Sequence, residues 1–370
     1  MITTTLIITL LYSILIILFI IGFDKVAVFK HNIDTPTTQF SIIIPFRDEK
    51  KNLSDLLQSL EQLNYPKDQF EIIFVDDDST DNSVEIIKNI QLNCNIIKNN
   101  RISNSPKKDA IETAINKAKF DWIITTDADC ILPKQWLQTF ASFIQKQPSK
   151  LIAAPVKYIA NSSFLEQFQV FDFLSLQAVT VAGFGVHKPF LCNGANLCYH
   201  KLTFFEVNGF TGNENIASGD DIFLLEKIAE KYPEQVHYLK STEALVSTKP
   251  QSTFKQLLAQ RIRWAAKTSS YKNNFTKTVG IIVFLMNTLM VTLTFWTIIN
   301  PYLWRLLLIT FTIKLILDGL LIKKQYSFIN QKFSSFNFIL SSFCYPFFSI
   351  FVALSSLQSS YYWKGRQFKK

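Results

Sequence analysis

Phe70-Glu71-Ile72-Ile73-Phe74-Val75-Asp76-Asp77-Asp78 and Trp122-Ile123-Ile124-Thr125-Thr126-Asp127-Ala128-Asp129 share one design: a short apolar run that ends abruptly on carboxylates. Apolar runs that are continuous rather than alternating suit strands covered on both faces, as in a parallel sheet. Ser41-Ile42-Ile43-Ile44-Pro45 and Asn95 to Lys98 read the same way. Between these runs, apolar residues recur at helical spacing: Leu53, Leu56, Leu57 and Leu60, then Val84, Ile87 and Ile90, then Ala110, Ile111, Ala114, Ile115 and Ala118. Strand alternating with helix predicts an α/β domain, doubly wound and mostly parallel, over residues 40–250. Such sheets bind ligands beyond the carboxyl ends of their strands, which is where the acids stand.

Capping of the next helix accounts for Ser79 or Asp81, but three consecutive carboxylates, Asp76 to Asp78, repel one another unless a cation or donors lie close. Asp127 and Asp129, two residues apart at a strand end, can share one oxygen-loving divalent cation, Mg2+ or Mn2+, that bridges donor phosphates. A third acidic group, Ser218-Gly219-Asp220-Asp221, opens a helical pattern; it either complements the helix dipole or supplies a general base. Gln260-Arg261-Ile262-Arg263-Trp264 lies in an amphipathic stretch, where Arg and Trp either sit at a membrane interface or face a diphosphate and a sugar.

In this order the four groups resemble the family 2 glycosyltransferases of GT-A (Rossmann-like) fold, in the membrane-bound subgroup with a Q-x-x-R-W motif, which includes ceramide-glucosyltransferase-like enzymes and polysaccharide synthases. The resemblance covers Phe40 to Trp264 and takes in Ile44-Pro45-Phe46-Arg47-Asp48-Glu49, Val75-Asp76-Asp77, Pro106-Lys107-Lys108-Asp109-Ala110-Ile111, Asn193-Gly194-Ala195-Asn196 and Asn208-Gly209-Phe210. It implies a nucleotide-sugar donor, a UDP-sugar first, held by Pro45, Arg47, Glu49, Asp76, Asp77, Lys107 and Asp127 and closed over by Gln260, Arg263 and Trp264. It implies further that Asp127 and Asp129 handle the metal diphosphate and that Asp221, beside Asp220, is the base of an inverting transfer. Three positions depart from the family pattern: Asp78 and Pro106 each replace a usual Gly, and Asp220 replaces a usual Glu. The acceptor expected is a lipid or lipid-linked glycan in cell-envelope synthesis; a processive polysaccharide synthase and a catalytically inactive membrane scaffold are the alternatives.

The remaining sequence belongs to a membrane. Among 370 residues with mean hydropathy +0.16, residues 1–23 carry no charge and are long enough to cross a hydrocarbon core of about 30 Å. Lacking a basic leader region, the stretch reads as a retained anchor. Lys25 and Lys30 follow it and favour the cytoplasmic side for the catalytic domain, as in a bacterial-type inner membrane. Residues 251–277 are expected to be interfacial and 278–363 to hold two or three apolar segments, with Asn300-Pro301 as a turn and one stretch that does not cross: either the last, bent into a re-entrant hairpin at Pro346, or the segment holding Lys314 and Asp318. A basic tail over 364–370 contributes to the net charge of +9, which is assigned to the membrane surface because no nucleic-acid-binding signature accompanies it. Five cysteines at irregular spacing suit a reducing compartment. A zinc cluster of Cys192, Cys198, His187 and His200 matches no common spacing.

Overall fold

The computed structural model describes residues 2–31, 37–90, 92–357, 360–363 and 366–369. Lys364 and Lys370 of the expected basic tail lie outside the described residues. The helices are α1 (Ile2–Lys25), α2 (Leu53–Glu61), α3 (Ser83–Lys88), α4 (Pro106–Ile115), α5 (Trp136–Lys146), α6 (Phe164–Gly185), α7 (Lys201–Glu206), α8 (Asp220–Lys231), α9 (Phe254–Ala266), α10 (Asn274–Ile299), α11 (Trp304–Phe328) and α12 (Ser335–Ser355). The strands are β1 (Phe40–Phe46), β2 (Phe70–Asp76), β3 (Asn95–Lys98), β4 (Trp122–Thr125), β5 (Leu151–Ala153), β6 (Val156–Tyr158), β7 (Leu197–His200), β8 (Val236–Tyr238), β9 (Val246–Thr248), β10 (Ser360–Trp363) and β11 (Arg366–Lys369). They divide into two compact units: a catalytic unit of residues 27–159, 191–249 and 362–370, and a helical unit of residues 1–26, 160–190 and 250–361.

The catalytic unit is built on a seven-stranded sheet in the order β3-β2-β1-β4-β7-β5-β8. β1 pairs parallel with β2 and β4, and β2 parallel with β3, whereas β7 runs antiparallel to both β4 and β5. Phe40, Ile42, Ile43 and Ile44 are fully buried, as their unbroken apolar run requires of a central strand. The strand order reverses between β1 and β4, the switch point where α/β sheets leave a crevice for ligands. A short parallel pair, β6 with β9, forms a separate sheet.

The helical unit is inverted relative to a soluble bundle. α1 buries Thr5, Thr9, Tyr12, Phe19 and Gly22 along one stripe, while Leu6, Leu10 and Ile14 face outward. α10 and α12 likewise expose Ile281, Phe295, Phe336 and Phe351 but bury Asn287 and Ser341. Polar residues inside and large apolar ones outside suit a hydrocarbon solvent. The α1–α6 crossing depends on glycines: a Cβ built on Gly185 would stand 1.8 Å from the Gly22 carbonyl oxygen. Lys314 is buried on α11, where Nζ meets Asp318 Oδ2 at 2.5 Å and Tyr12 Oη at 3.3 Å, and Tyr12 donates to Asp318 Oδ1 at 2.6 Å.

Three expectations need correction. Residues 160–190 do not belong with the catalytic unit, because α6 packs among α1, α11 and α12. Pro346 makes no hairpin; α12 continues through it from Ser335 to Ser355. Residues 362–370 are grouped with the catalytic unit, with residues 366–369 in strand β11. The Asn300-Pro301 turn does separate α10 from α11.

Candidate active site

At the ends of β1 and β2, the chain builds an anionic corner around one buried carboxylate. Asp77 Oδ1 accepts from Asn99 Nδ2 at 2.8 Å and Arg101 at 3.3 Å, and Oδ2 accepts from Arg366 NH1 at 2.5 Å. Arg47 donates to the Asp77 carbonyl oxygen at 2.5 Å. The neighbouring Asp76 turns away and accepts from the Ser79 amide, capping the loop. Asp78 has φ +59°, a left-handed conformation that glycine adopts freely and that Asp tolerates better than most residues. Asp48, also left-handed, accepts from the Thr80 amide, which holds its carboxyl below the ordinary carboxylate value. Glu49 accepts from Asn52 Nδ2 at 2.7 Å, a local contact where α2 begins. Pro45 lies in β1 and is partly exposed.

At the end of β4, a second group forms around Lys107. Its ammonium lies 2.7 Å from Asp127 Oδ1 and 3.4 Å from Asp220 Oδ2. Burial works to lower the Lys107 pKa, but Asp127, Asp220 and Asp221 outweigh it and hold the group well above its ordinary value. Pro106 stands at the start of α4, where its missing N–H costs nothing, so this departure from the family pattern leaves Lys107 well placed. Asp220 and Asp221 open α8 after Gly219, whose φ of +87° suits glycine. Asp221 Oδ2 accepts from the Gly194 amide at 3.1 Å, and Oδ1 accepts from the Ile222 amide at 2.8 Å.

Gly194 matters because it has no side chain. A Cβ there would stand 3.0 Å from Asp220 Oδ2 and 3.4 Å from Lys107 Nζ. Asn196, fully buried, donates to the Pro155 and Ala244 carbonyls and accepts from Trp136 Nε1 at 2.9 Å, so it fixes the loop rather than facing a ligand. Lys108 secures the loop before the acid pair through the Asn213 and Ile216 carbonyls.

Asp129 is partly exposed beside Cys130, whose thiol is pushed up by burial and by Asp129 and Asp127, and so stays protonated. Among the described residues no three His, Cys, Asp or Glu side chains gather as a metal site. Gln260, Arg263 and Trp264 lie on α9 in the helical unit, whereas the other expected site residues lie in the catalytic unit. Sequence reasoning missed Asn99, Arg101 and Arg366 on Asp77, since nothing in their local pattern marks them. Gly194 was flagged only as part of Asn193-Gly194-Ala195-Asn196.

Comparison with known proteins bears on this geometry. A family profile described as Glycosyl transferase family 2 matches residues 41–187, and one described as Glycosyl transferase family group 2 matches residues 122–356, more than half of the chain. The poly(ribitol-phosphate) beta-N-acetylglucosaminyltransferase TarS of Staphylococcus aureus strain Mu50 is 30% identical over 121 residues, covering 32% of this chain and 21% of TarS. The poly-beta-1,6-N-acetyl-D-glucosamine synthase of Staphylococcus epidermidis is 24% identical over 231 residues, covering 61% of this chain and 53% of the synthase. This chain thus spans only a part, between about a fifth and a half, of these relatives. A mannosyltransferase from Pyrobaculum calidifontis, solved with GDP-Man and Mn2+, superposes with a TM-score of 0.59 at 14% identity over 96% of this chain and 98% of its own, a likeness of fold.

Proposed function

We propose, from the premise that this chain belongs to the family 2 glycosyltransferases with a GT-A fold, that it transfers a sugar with inversion from a nucleotide diphosphate donor to a lipid or lipid-linked glycan of the cell envelope. The observation that carries this reading is Lys107, which joins the carboxylate at the end of β4 to the acid pair opening α8. Lys107 places one cation between the residues expected to handle a diphosphate and those expected to activate an acceptor. Asp221, held by the Gly194 and Ile222 amides, is the base that takes the acceptor hydroxyl proton. Asp77 and Arg47 face the nucleoside.

Asp127 and Asp129 would hold a divalent cation, Mg2+ or Mn2+, through hard carboxylate oxygens offered from one loop. Such an ion stabilises negative charge on the leaving diphosphate. The named activities of the relatives, N-acetylglucosaminyl transfer and poly-N-acetyl-D-glucosamine synthesis, make N-acetylglucosamine the first sugar to test as donor. The match to a poly-N-acetylglucosamine synthase over 61% of this chain favours a second reading, processive polymer synthesis.

Topology follows from connectivity. α6 leaves the catalytic unit and returns to it as a single helix, so it stays on one side of the membrane despite its length. α11 runs beside α1 in the same sense, since Tyr12 meets Asp318 and Asp24 meets Lys324, so the two cross in the same direction. Residues 362–370 return to the catalytic unit, and an even number of crossings is therefore needed between Pro250 and Tyr361. α10 and α11 supply them. α12 meets the amphipathic α9 through Phe254 and Phe348, and packs on α10 and α11 through Phe295 with Phe347 and Phe311 with Phe343. With α1 entering the cytoplasm, Lys323, Lys324 and Lys332 all fall inside, as the positive-inside tendency requires.

The test is incubation of membranes containing the full chain with labelled nucleotide sugars, followed by separation of lipid from polymer products. Labelled lipid, lost on chelation and in Asp129→Ala and restored by Mn2+ or Mg2+, is expected. Polymer alone would establish the second reading, and full turnover in excess chelator would remove the metal assignment.

A further inference from the structure

Within the helical unit, α9 buries Leu257, Arg261 and Ala266. Arg261 Nε donates to Asp172 Oδ2 on α6 at 2.6 Å, and the two side chains are 6% and 5% exposed. One turn earlier on α6, Gln169 accepts from the Gln251 amide at 2.8 Å and donates to the Gln251 carbonyl at 2.9 Å. Residues 169 and 172 share a face of α6, so one helix grips both the approach to α9 and its middle.

Arg261 makes further contacts with its neighbours on α9. The guanidinium lies over the Trp264 ring, 4.2 Å from its centroid, and NH1 donates to Gln260 Oε1. Phe173, next to Asp172, meets the same indole with ring centroids 6.5 Å apart. A planar guanidinium fixed along one edge by a carboxylate has no freedom to turn its face or its other edge, which lysine in that place would retain. Arg261 therefore translates the position of Asp172 into the orientation of Gln260 and Trp264, the residues expected to close the donor site.

We propose that Asp172 and Arg261 are positioning residues for the transfer reaction: buried and paired within the helical unit, they set the orientation of Gln260 and Trp264. This inference rests on the reading that Trp264 serves the donor site. It gives the first arginine of Gln260-Arg261-Ile262-Arg263-Trp264 a positioning role, where the resemblance implies a donor-site role for the second alone. A merely structural ion pair would hold α9 in place without governing catalysis, and the two cases differ in what Arg261→Lys does.

The experiment uses the full chain in nanodiscs, with Arg261→Lys, Asp172→Asn and Trp264→Phe measured for thermal unfolding, Trp264 fluorescence (wild type minus Trp264→Phe) and steady-state transfer. Arg261→Lys is expected to fold, to shift the Trp264 emission and to lower kcat/KM by about tenfold to a hundredfold, the cost of a modest misplacement. Asp172→Asn should do the same, and the double variant should lose little more, as for residues acting in series. Folded Arg261→Lys with a shifted emission and wild-type transfer overturns the proposal. So does impaired transfer with an unshifted emission. Should Arg261→Lys fail to accumulate, Asp172→Glu keeps both charges, displaces the carboxylate by one methylene and answers to the same readouts. If Trp264→Phe itself transfers at the wild-type rate, the donor-site reading of Trp264 fails; if Trp264→Phe is impaired while Arg261→Lys is not, only the positioning role fails.

Discussion

Replacing Lys107 by methionine keeps most of its volume and removes a charge that touches both acidic groups. A hydrogen bond between charged partners contributes about 1.5–3 kcal/mol. Lys107 makes one such contact with Asp127 and a longer one with Asp220, but Asp127 is 37% exposed, so water screens the first pair and the lower end of the range applies. A loss of about 2 kcal/mol corresponds to roughly a thirtyfold fall in kcat/KM at about 1.4 kcal/mol per decade. The Lys107 pKa is raised in the folded protein, so its contribution to stability is fully present below the ordinary lysine value and is lost only as pH rises through the higher folded value. The Tm difference between wild type and Lys107→Met should therefore stay constant from about pH 7 to pH 10. Steady-state transfer assays and thermal scans across that range measure both. Transfer within twofold of wild type, or a Tm difference that already shrinks below about pH 9, would refute the electrostatic role given to Lys107.

Gly194→Ala places a methyl group 3.0 Å from Asp220 Oδ2, so kcat should fall by about tenfold with Tm nearly unchanged; equal loss of both would mark a folding defect instead. Arg366 pairs with Asp77, which the proposed function sets against the nucleoside, and a partly exposed pair of this kind contributes about 1 kcal/mol. Arg366→Ala should thus lower the donor KM a few-fold, as read from initial rates, and a raised KM would make Arg366 a donor ligand. For topology, cysteines at Ile102, which is 70% exposed, and at Gln367 should resist an impermeant thiol reagent in intact cells and react after permeabilisation. Labelling of position 367 from outside would require α12 to cross.

Much of the catalytic unit was legible because its code is local. The apolar runs ending at Val75 and Thr125 became β2 and β4 almost to the residue, since a strand buried on both faces leaves little room for polar residues. The acids stood out for a different reason: Asp77, Asp127, Asp220 and Asp221 are too many to be caps, and the structure brings Asp127 and Asp220 to Lys107. What escaped was what depends on distant pairing. α6 was missed because Asp172 and the two glutamines Gln169 and Gln177 interrupt its apolar character, and they do so by being bonded or buried inside the helical unit. Arg366 on Asp77 joins residues nearly at opposite ends of the chain, which no window of sequence reveals. The Pro346 hairpin was wrong for a physical reason: a proline inside a long apolar helix surrounded by other helices loses one hydrogen bond without ending the helix.

The central claim is that Asp221 deprotonates an acceptor while the donor is held elsewhere in the same site. Asp221→Asn tests it most directly, since the amide is nearly isosteric and cannot take a proton at neutral pH. The measurement is titration of the variant with the nucleotide sugar that wild type uses, paired with single-turnover transfer. Donor binding within a few-fold of wild type, together with a loss of turnover of about a hundredfold or more, is predicted. Wild-type turnover in Asp221→Asn, above all if Asp220→Asn is the inactive variant, would contradict the assignment and move the base to the residue paired with Lys107.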